Sequence, residues 1–238
     1  MRLAPTAGRF VVSTRSGPVA ELHTAFPEPA GRALVVVSSP TDRAVVLGSA
    51  QAEGLLDTAA VEAAGYALVR RRSGGGAVLV EPGALAWVDV HVPAGDPLWS
   101  ADVGAAFLWL GAAWARALEA LLPSGTPVTV RDGPPERSPE GRLFCYAALG
   151  IGEVAVAGRK VVGISQRRDR RGAWLQSMAA LRDVQWRLAG FLAGPPPDRR
   201  RGLAVLRERA GAVRVDEEAL MARLALEIER AAPAGRSC

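Results

Sequence analysis

The chain has 238 residues, 49% hydrophobic and 22% charged, and its 29 Lys and Arg against 24 Asp and Glu give a net charge of +5. That balance is globular, which excludes a disordered chain, and the length suits one domain or one with a small appendage. Two distant cysteines (Cys145, Cys238) and two histidines (His23, His91) make neither a disulfide framework nor a zinc site.

Residues Met1–Phe10 lack an apolar run, so no signal peptide is expected and the reading is a soluble, cytoplasmic protein. Ala33–Ser38 and Ala44–Leu47 are short β-branched runs and predict two strands, separated by the turn-rich Ser39–Asp42. Gly54–Gly65 predicts a short helix with Gly65 as its C′ residue. Tyr66–Val69 begins a strand that enters Arg70-Arg71-Arg72-Ser73-Gly74-Gly75-Gly76, and Ala77–Val80 leaves that loop as another. Ala86–Val92 alternates as a strand after the Glu81-Pro82-Gly83 turn.

The longest helix is predicted over Ser100–Leu122, capped by Ser100 or Asp102, with Leu108, Gly111, Ala115, Leu118 and Leu122 on one face. Its most apolar part is cut by Arg116 and Glu119 and falls short of the ~20 residues of a membrane span. Val128–Val130 predicts a strand, and the proline-containing Arg131–Gly141 a loop. Glu153–Val156 and Arg159–Ile164 predict a hairpin about Ala157-Gly158. Leu175–Leu181, a helix near Arg182–Leu192, a linker over Gly194–Asp198 and an amphipathic helix over Asp216–Ala232 complete the chain. Strands adjoin without intervening helices, so the class is α+β with a mixed, largely antiparallel sheet flanked by helices.

Arginines fall in short clusters at 70–72, 167–171 and 199–201, without interleaved aromatics. That argues for a solvated basic surface, or one attracting an anionic ligand or acidic protein, and against a nucleic-acid partner. Of the 29 basic residues, 28 are arginine and one, Lys160, is lysine. A coding bias accounts for most of the asymmetry, since the chain also contains no Asn. Under such a bias the surviving lysine points to a position that needs a compact point charge and not a planar fork.

Two segments carry chemistry. In RRRSGGGAV (Arg70–Val78), three glycines permit unusual backbone angles and let a ligand lie on backbone N–H groups, with arginine charge beside them. No Gly-Lys-Ser/Thr follows, so it is not a Walker loop, and taken alone it reads best as a hairpin turn with solvated arginines. In GRKVVGISQRR (Gly158–Arg168), alternation places Lys160, Val162, Ile164 and Gln166 on one strand face. Taken alone, Lys160 reads as a strand-end lysine reaching solvent.

Together, RRxSGGGAV followed by GRKxxGxxQRR resembles the lipoate–protein ligase and octanoyltransferase family, related to biotin ligases, from about Ala44 to Gln176. The resemblance implies a catalytic domain over residues 1–195, with 196–238 as a helical extension and no full accessory domain. It implies transfer of a lipoyl or octanoyl group to a carrier-domain lysine through an acyl-adenylate. ATP with Mg2+ and lipoate would be substrates. The implied partners are lipoyl domains of 2-oxoacid dehydrogenase complexes or glycine cleavage H protein, and acyl carrier protein if that is the donor. Carried over by motif, Arg70, Ser73, Gly74, Gly75, Gly76, Ala77, Val78 and Gly163 would line the adenylate pocket, and Lys160 would reach the acyl carbonyl and phosphate. A point cation suits the oxyanion that develops there. The expected oligomeric state is a monomer.

The chain departs from the family pattern at Val80-Glu81, where many relatives carry His-Asp, and at Ser177-Met178, where many carry His-Gly. Cys145 lies fifteen residues before Lys160, an offset that resembles the octanoyltransferase branch. There a thiolate beside Lys160 would accept octanoyl as a thioester without ATP. Read without the resemblance, Cys145 is a buried apolar cysteine between Phe144 and Tyr146. A biotin ligase fits poorly, because that branch carries a Gly-Arg-Gly-Arg-type loop. A non-catalytic binder of lipoyl groups or adenylates is the alternative from another class.

Overall fold

The computed structural model describes residues 9–25 and 31–231, so Cys238 and Ala232 lie outside the described residues. The first half runs β1 (Val11–Gly17), α1 (Val19–Thr24), β2 (Leu34–Pro40), β3 (Ala44–Leu47), α2 (Thr58–Ala63), β4 (Ala67–Arg70), β5 (Val78–Val80) and β6 (Leu85–Pro93). The second half runs α3 (Leu108–Glu119), β7 (Val128–Val130), α4 (Pro139–Leu143), β8 (Val154–Val156), β9 (Arg159–Asp169), β10 (Gly172–Ala180), α5 (Pro196–Arg209) and α6 (Glu217–Glu229). Seven strands form one sheet in the order β1-β2-β6-β10-β9-β8-β7, and β4-β3-β5 form a second. Only β1–β2 and β3–β4 pair in parallel, so the α+β, largely antiparallel expectation holds.

Alternation along β6 creates the layers. Ala86, Val88, Val90 and Val92 face one core, with Leu110, Trp114 and Leu118 of α3 and Leu220, Leu224 and Ile228 of α6. Leu85 and Trp87 face the other core, shared with the small sheet, Phe144, Tyr146 and Met178. The large sheet is therefore covered by helices on one side and by the small sheet on the other. Arg15 of β1 joins the elements laterally, pairing at 2.7 Å with the fully buried Asp89 and donating to the Leu22 and Ala25 carbonyls at the C-terminal end of α1.

Most predicted elements appear in place, including the hairpin turn, whose Ala157 and Gly158 both have positive φ (49° and 77°) as its tight geometry requires. Several differ for local reasons. The long helix begins as a 3₁₀ turn at Ala105–Phe107, because the Asp102 carboxylate accepts from the Gly104 and Ala105 N–H groups and holds a bend before it. The expected helix near Arg182–Leu192 is a 3₁₀ helix over residues 185–191. Gln185 there exchanges two hydrogen bonds with the Leu79 backbone at 2.9 and 3.0 Å. The expected linker over 194–198 instead opens α5, since prolines in a first turn lack only N–H groups that have no helical partner anyway. Strand β1 and helix α1 have no counterpart among the sequence expectations, and α4 begins inside the expected loop over 131–141, where the Ser138 hydroxyl caps it by accepting from the Gly141 N–H.

Candidate active site

The Gly-rich segment folds as a loop pinned from inside. Arg71 is buried and its guanidinium donates to the Gly74 carbonyl at 2.9 and 3.2 Å and to the Gly76 carbonyl at 2.9 Å. Gly75 has φ +105°, open to glycine but not to other residues. A Cβ on Gly76 would stand 2.5 Å from the Phe144 carbonyl carbon and 2.7 Å from the Cys145 nitrogen. Backbone bonds complete the contact: Ala77 N–H donates to Leu143 O and Cys145 N–H to Ala77 O, both at 2.8 Å. The loop thus delivers its glycines directly to the segment bearing Cys145.

Lys160 comes to the same place from β9. The pairing of β8 with β9 shifts register between Val154 and Ala155, so Val161 is an extra residue and simple alternation fails. This corrects the expected face. Lys160 shares a side with Gly163, whose Cβ would lie 3.7 Å from Lys160 Cε and 3.4 Å from Cys145 Sγ. Val162 and Ile164 pack into the helix-covered core instead. Nor does Lys160 reach solvent: it is 3% exposed.

The ammonium pairs with Glu153, donates to Cys145 O at 2.6 Å and Ala148 O at 3.0 Å, and lies 3.8 Å from Cys145 Sγ. Burial alone would push the Lys160 ammonium down, but the Cys145 sulfur and the Glu153 carboxylate outweigh it and hold it above its ordinary value. The surroundings of Lys160 therefore favour its charged form.

A cleft of about 390 Å³ runs between these parts, lined by Gly74–Gly76, Cys145, Gly150, Lys160 and Ser165 among others. Behind Cys145 it meets a chamber of about 30 Å³ walled by His23, Val78, Gly163, Gln176 and Met178. Ser73 Oγ, 2% exposed as a residue, hydrogen-bonds Ser165 Oγ at 2.9 Å and donates to Gln176 Oε1 at 3.3 Å, tying the loop to β9 and β10. His23 is buried against the Trp87 ring with neither ring nitrogen hydrogen-bonded. Burial, with Arg71 and Arg15 adding to it, drives its pKa down to about 3.

Of the residues singled out in the sequence, Gly74, Gly75, Gly76, Cys145 and Lys160 line the cleft, and Val78 and Gly163 line the inner chamber. Ala77 is buried beside Cys145, joined to it by the backbone bond. Arg70 turns away and braces the Gly48, Ser49 and Gln51 carbonyls, while Arg71 faces the cleft. Glu153, Ser165, Gln176 and His23 had no sequence signal beyond the acidic residue seven places before Lys160. Of the two departures from the family pattern, Val80 and Ser177 lie off the cleft, whereas Met178 walls the inner chamber. Val80 is in the core, and Ser177 faces α3, bonded to Trp114 Nε1 and Val88 O. Among the described residues no group of three His, Cys, Asp or Glu could hold a metal ion, and no helix is long and apolar enough to cross a membrane.

A family model, lipoyl protein ligase A/B catalytic domain, matches residues 21–215. The chain belongs to that family. It is an enzyme of the ligase or transferase class, and its membership supports a role in protein lipoylation. No curated protein matches it. Among solved structures, the bi-partite lipoate protein ligase of Thermoplasma acidophilum, described with its E2 lipoyl domain, aligns with TM-score 0.69 at 17% identity, over 94% of this chain and 83% of that one. Lipoate-protein ligase A bound with ATP aligns with TM-score 0.66 at 17% identity, over 94% and 85%. The T. acidophilum protein Ta0514 with bound lipoic acid gives 0.56 at 16% identity, over 91% and 93%. These likenesses describe a shared fold.

Proposed function

We propose that this enzyme attaches a lipoyl group, or its octanoyl precursor, to the lysine of a lipoyl carrier domain through an acyl-adenylate. The observation that carries the reading is the placement of a buried Lys160, held toward its charged form, opposite the backbone of Gly74–Gly76 across one cleft. Ligand-bound structures of the same fold, with ATP and with lipoic acid, support those two substrates. The acyl carboxylate attacks the α-phosphorus and expels pyrophosphate. The neutral amine of the carrier lysine then attacks the carbonyl carbon, AMP leaves, and the amine gives up its proton as the amide forms. The Lys160 ammonium faces the carbonyl oxygen that gains charge in this second step. Its three N–H bonds are already engaged, so substrate oxygen replaces the Ala148 or Cys145 carbonyl as an acceptor. Mg2+ would arrive on the nucleotide phosphates.

Cys145 favours a second route. Its half-buried thiol opens on the cleft 3.8 Å from Lys160 Nζ, where an octanoyl thioester would place its carbonyl near the same cation. Here Sγ attacks the donor thioester, the carrier thiol leaves, and the target amine displaces Sγ. One experiment separates the routes: apo lipoyl domain with either lipoate, ATP and Mg2+, or octanoyl-loaded acyl carrier protein, with the product weighed. ATP-dependent modification supports the adenylate route. Modification without ATP that is lost in Cys145→Ser selects the thioester route, and no modification with either donor overturns both.

A further inference from the structure

Glu153 immediately precedes β8 and its residue is 5% exposed, so water does little to stabilise its charge. Three donors do so instead. Oε2 accepts from the Gly150 N–H at 2.6 Å and pairs with the Lys160 ammonium, while Oε1 accepts from the Ile164 N–H at 3.0 Å. Lys160 and Ile164 stand on either side of the extra residue in β9, so one carboxylate grips both ends of the irregular stretch. A buried ion pair is weak ground for stability, because desolvation offsets the attraction. This one fixes a position. Without it Nζ keeps two neutral carbonyls and the Cys145 sulfur as neighbours and still feels the repulsion of Arg71.

We infer that Glu153 is a positioning residue for acyl transfer, its carboxylate holding the Lys160 ammonium at one point beside Cys145 and across from the Gly-rich loop. The inference rests on the reading of Lys160 as the cation at the reacting carbonyl. The groups facing Nζ are Glu153 before β8, the Cys145 thiol and Tyr146 ring from the 3₁₀ turn at 145–147, and Arg71 from the loop. Glu153→Gln keeps the shape and one acceptor oxygen but removes the charge. Glu153→Asp keeps the charge one methylene further away.

The single lysine of the chain makes the test direct. Protein labelled with ¹³C and ¹⁵N in lysine has one side-chain signal, followed against pH in wild type, Glu153→Gln and Glu153→Asp without any ligand. Each protein is also assayed for transfer, per folded molecule, with whichever donor the wild type uses. The expected result is a lower Lys160 midpoint in Glu153→Gln, and a kcat reduced about 10–100-fold, as for a misplaced catalytic group, with KM little changed. Glu153→Asp recovers part of both and carries the test if the Gln variant does not fold. A folded variant with an unmoved midpoint, or with undiminished kcat, overturns the proposal. A wild type inactive with every donor overturns the lipoylation reading instead, and the ligand-free titration still decides whether Glu153 governs Lys160.

Discussion

The side-chain position of Gly76 is occupied by the backbone of Cys145, whose nitrogen would stand 2.7 Å from a Cβ there. Loop and cysteine segment touch only because residue 76 has no side chain, and their contact forms one wall of the cleft. Gly76→Ala therefore pushes the two apart. The expected cost is about 1–3 kcal/mol from overpacking, with transfer activity down at least about tenfold from the displaced wall. Gly74 is the control: a Cβ there meets nothing within 4 Å and its φ is not positive, so Gly74→Ala should fold normally. Urea midpoints of the two variants, read beside their transfer rates, check this.

The Lys160 ammonium is bounded by Cys145, Ala148, Glu153 and the Tyr146 ring, partners placed around a point charge and not a planar fork. Lys160→Arg should lose transfer activity although it keeps the charge, and full retained activity would remove Lys160 from the mechanism. Lys160→Met keeps the volume but leaves Glu153 buried without its counter-ion. The expected cost is about 3–5 kcal/mol, measurable by urea unfolding at neutral pH.

Cys145→Ser distinguishes how the acyl group arrives. Under the adenylate route it should alter activity with lipoate and ATP by less than about tenfold, because the thiol makes no bond to substrate. Under the thioester route it should abolish octanoyl transfer, and mass spectrometry of the wild-type protein incubated with donor alone should find octanoyl on Cys145.

His23 ties stability to pH. It is neutral in the folded protein down to about pH 3, whereas the unfolded chain protonates it near 6.5. Between those values the unfolded state binds more protons, so this contribution is complete above pH 6.5 and is lost as pH falls, by up to about 1.4 kcal/mol per unit. Asp89 acts in the opposite sense. Complete burial outweighs Arg15 and Trp87 and raises its pKa from 3.8 to about 7, so its contribution declines as pH rises across that interval. The two overlap, and the wild-type curve alone conceals both. The measurable quantity is the difference from His23→Phe, whose stability relative to wild type should improve as pH drops from 6.5 to 4. An unchanged difference would mean that His23 takes up its proton within the fold.

Legibility followed the range of the interactions involved. Strands β2 to β6, the Ala157-Gly158 turn and α6 were readable because alternation, positive-φ turns and helical periodicity act over a few residues. Helix α5 was not, since prolines that read as a linker sit in a first turn where their missing N–H costs nothing. The face of Lys160 was misjudged because one inserted residue, Val161, reverses every side chain before it relative to those after it, and a bulge has no signature in a run such as KVVGI.

By itself the sequence determined the family, through two motifs, and the singular status of Lys160. Both are properties of residue type and order. Tertiary structure decided what surrounds that lysine. Glu153, Cys145 and Ala148 converge on its ammonium, Arg71 rather than Arg70 faces the cleft, and His23 arrives from a helix more than a hundred residues away. The physical reason is burial: a charge removed from water takes its partners from whatever the packing brings within about 3 Å, and chain order carries no record of that.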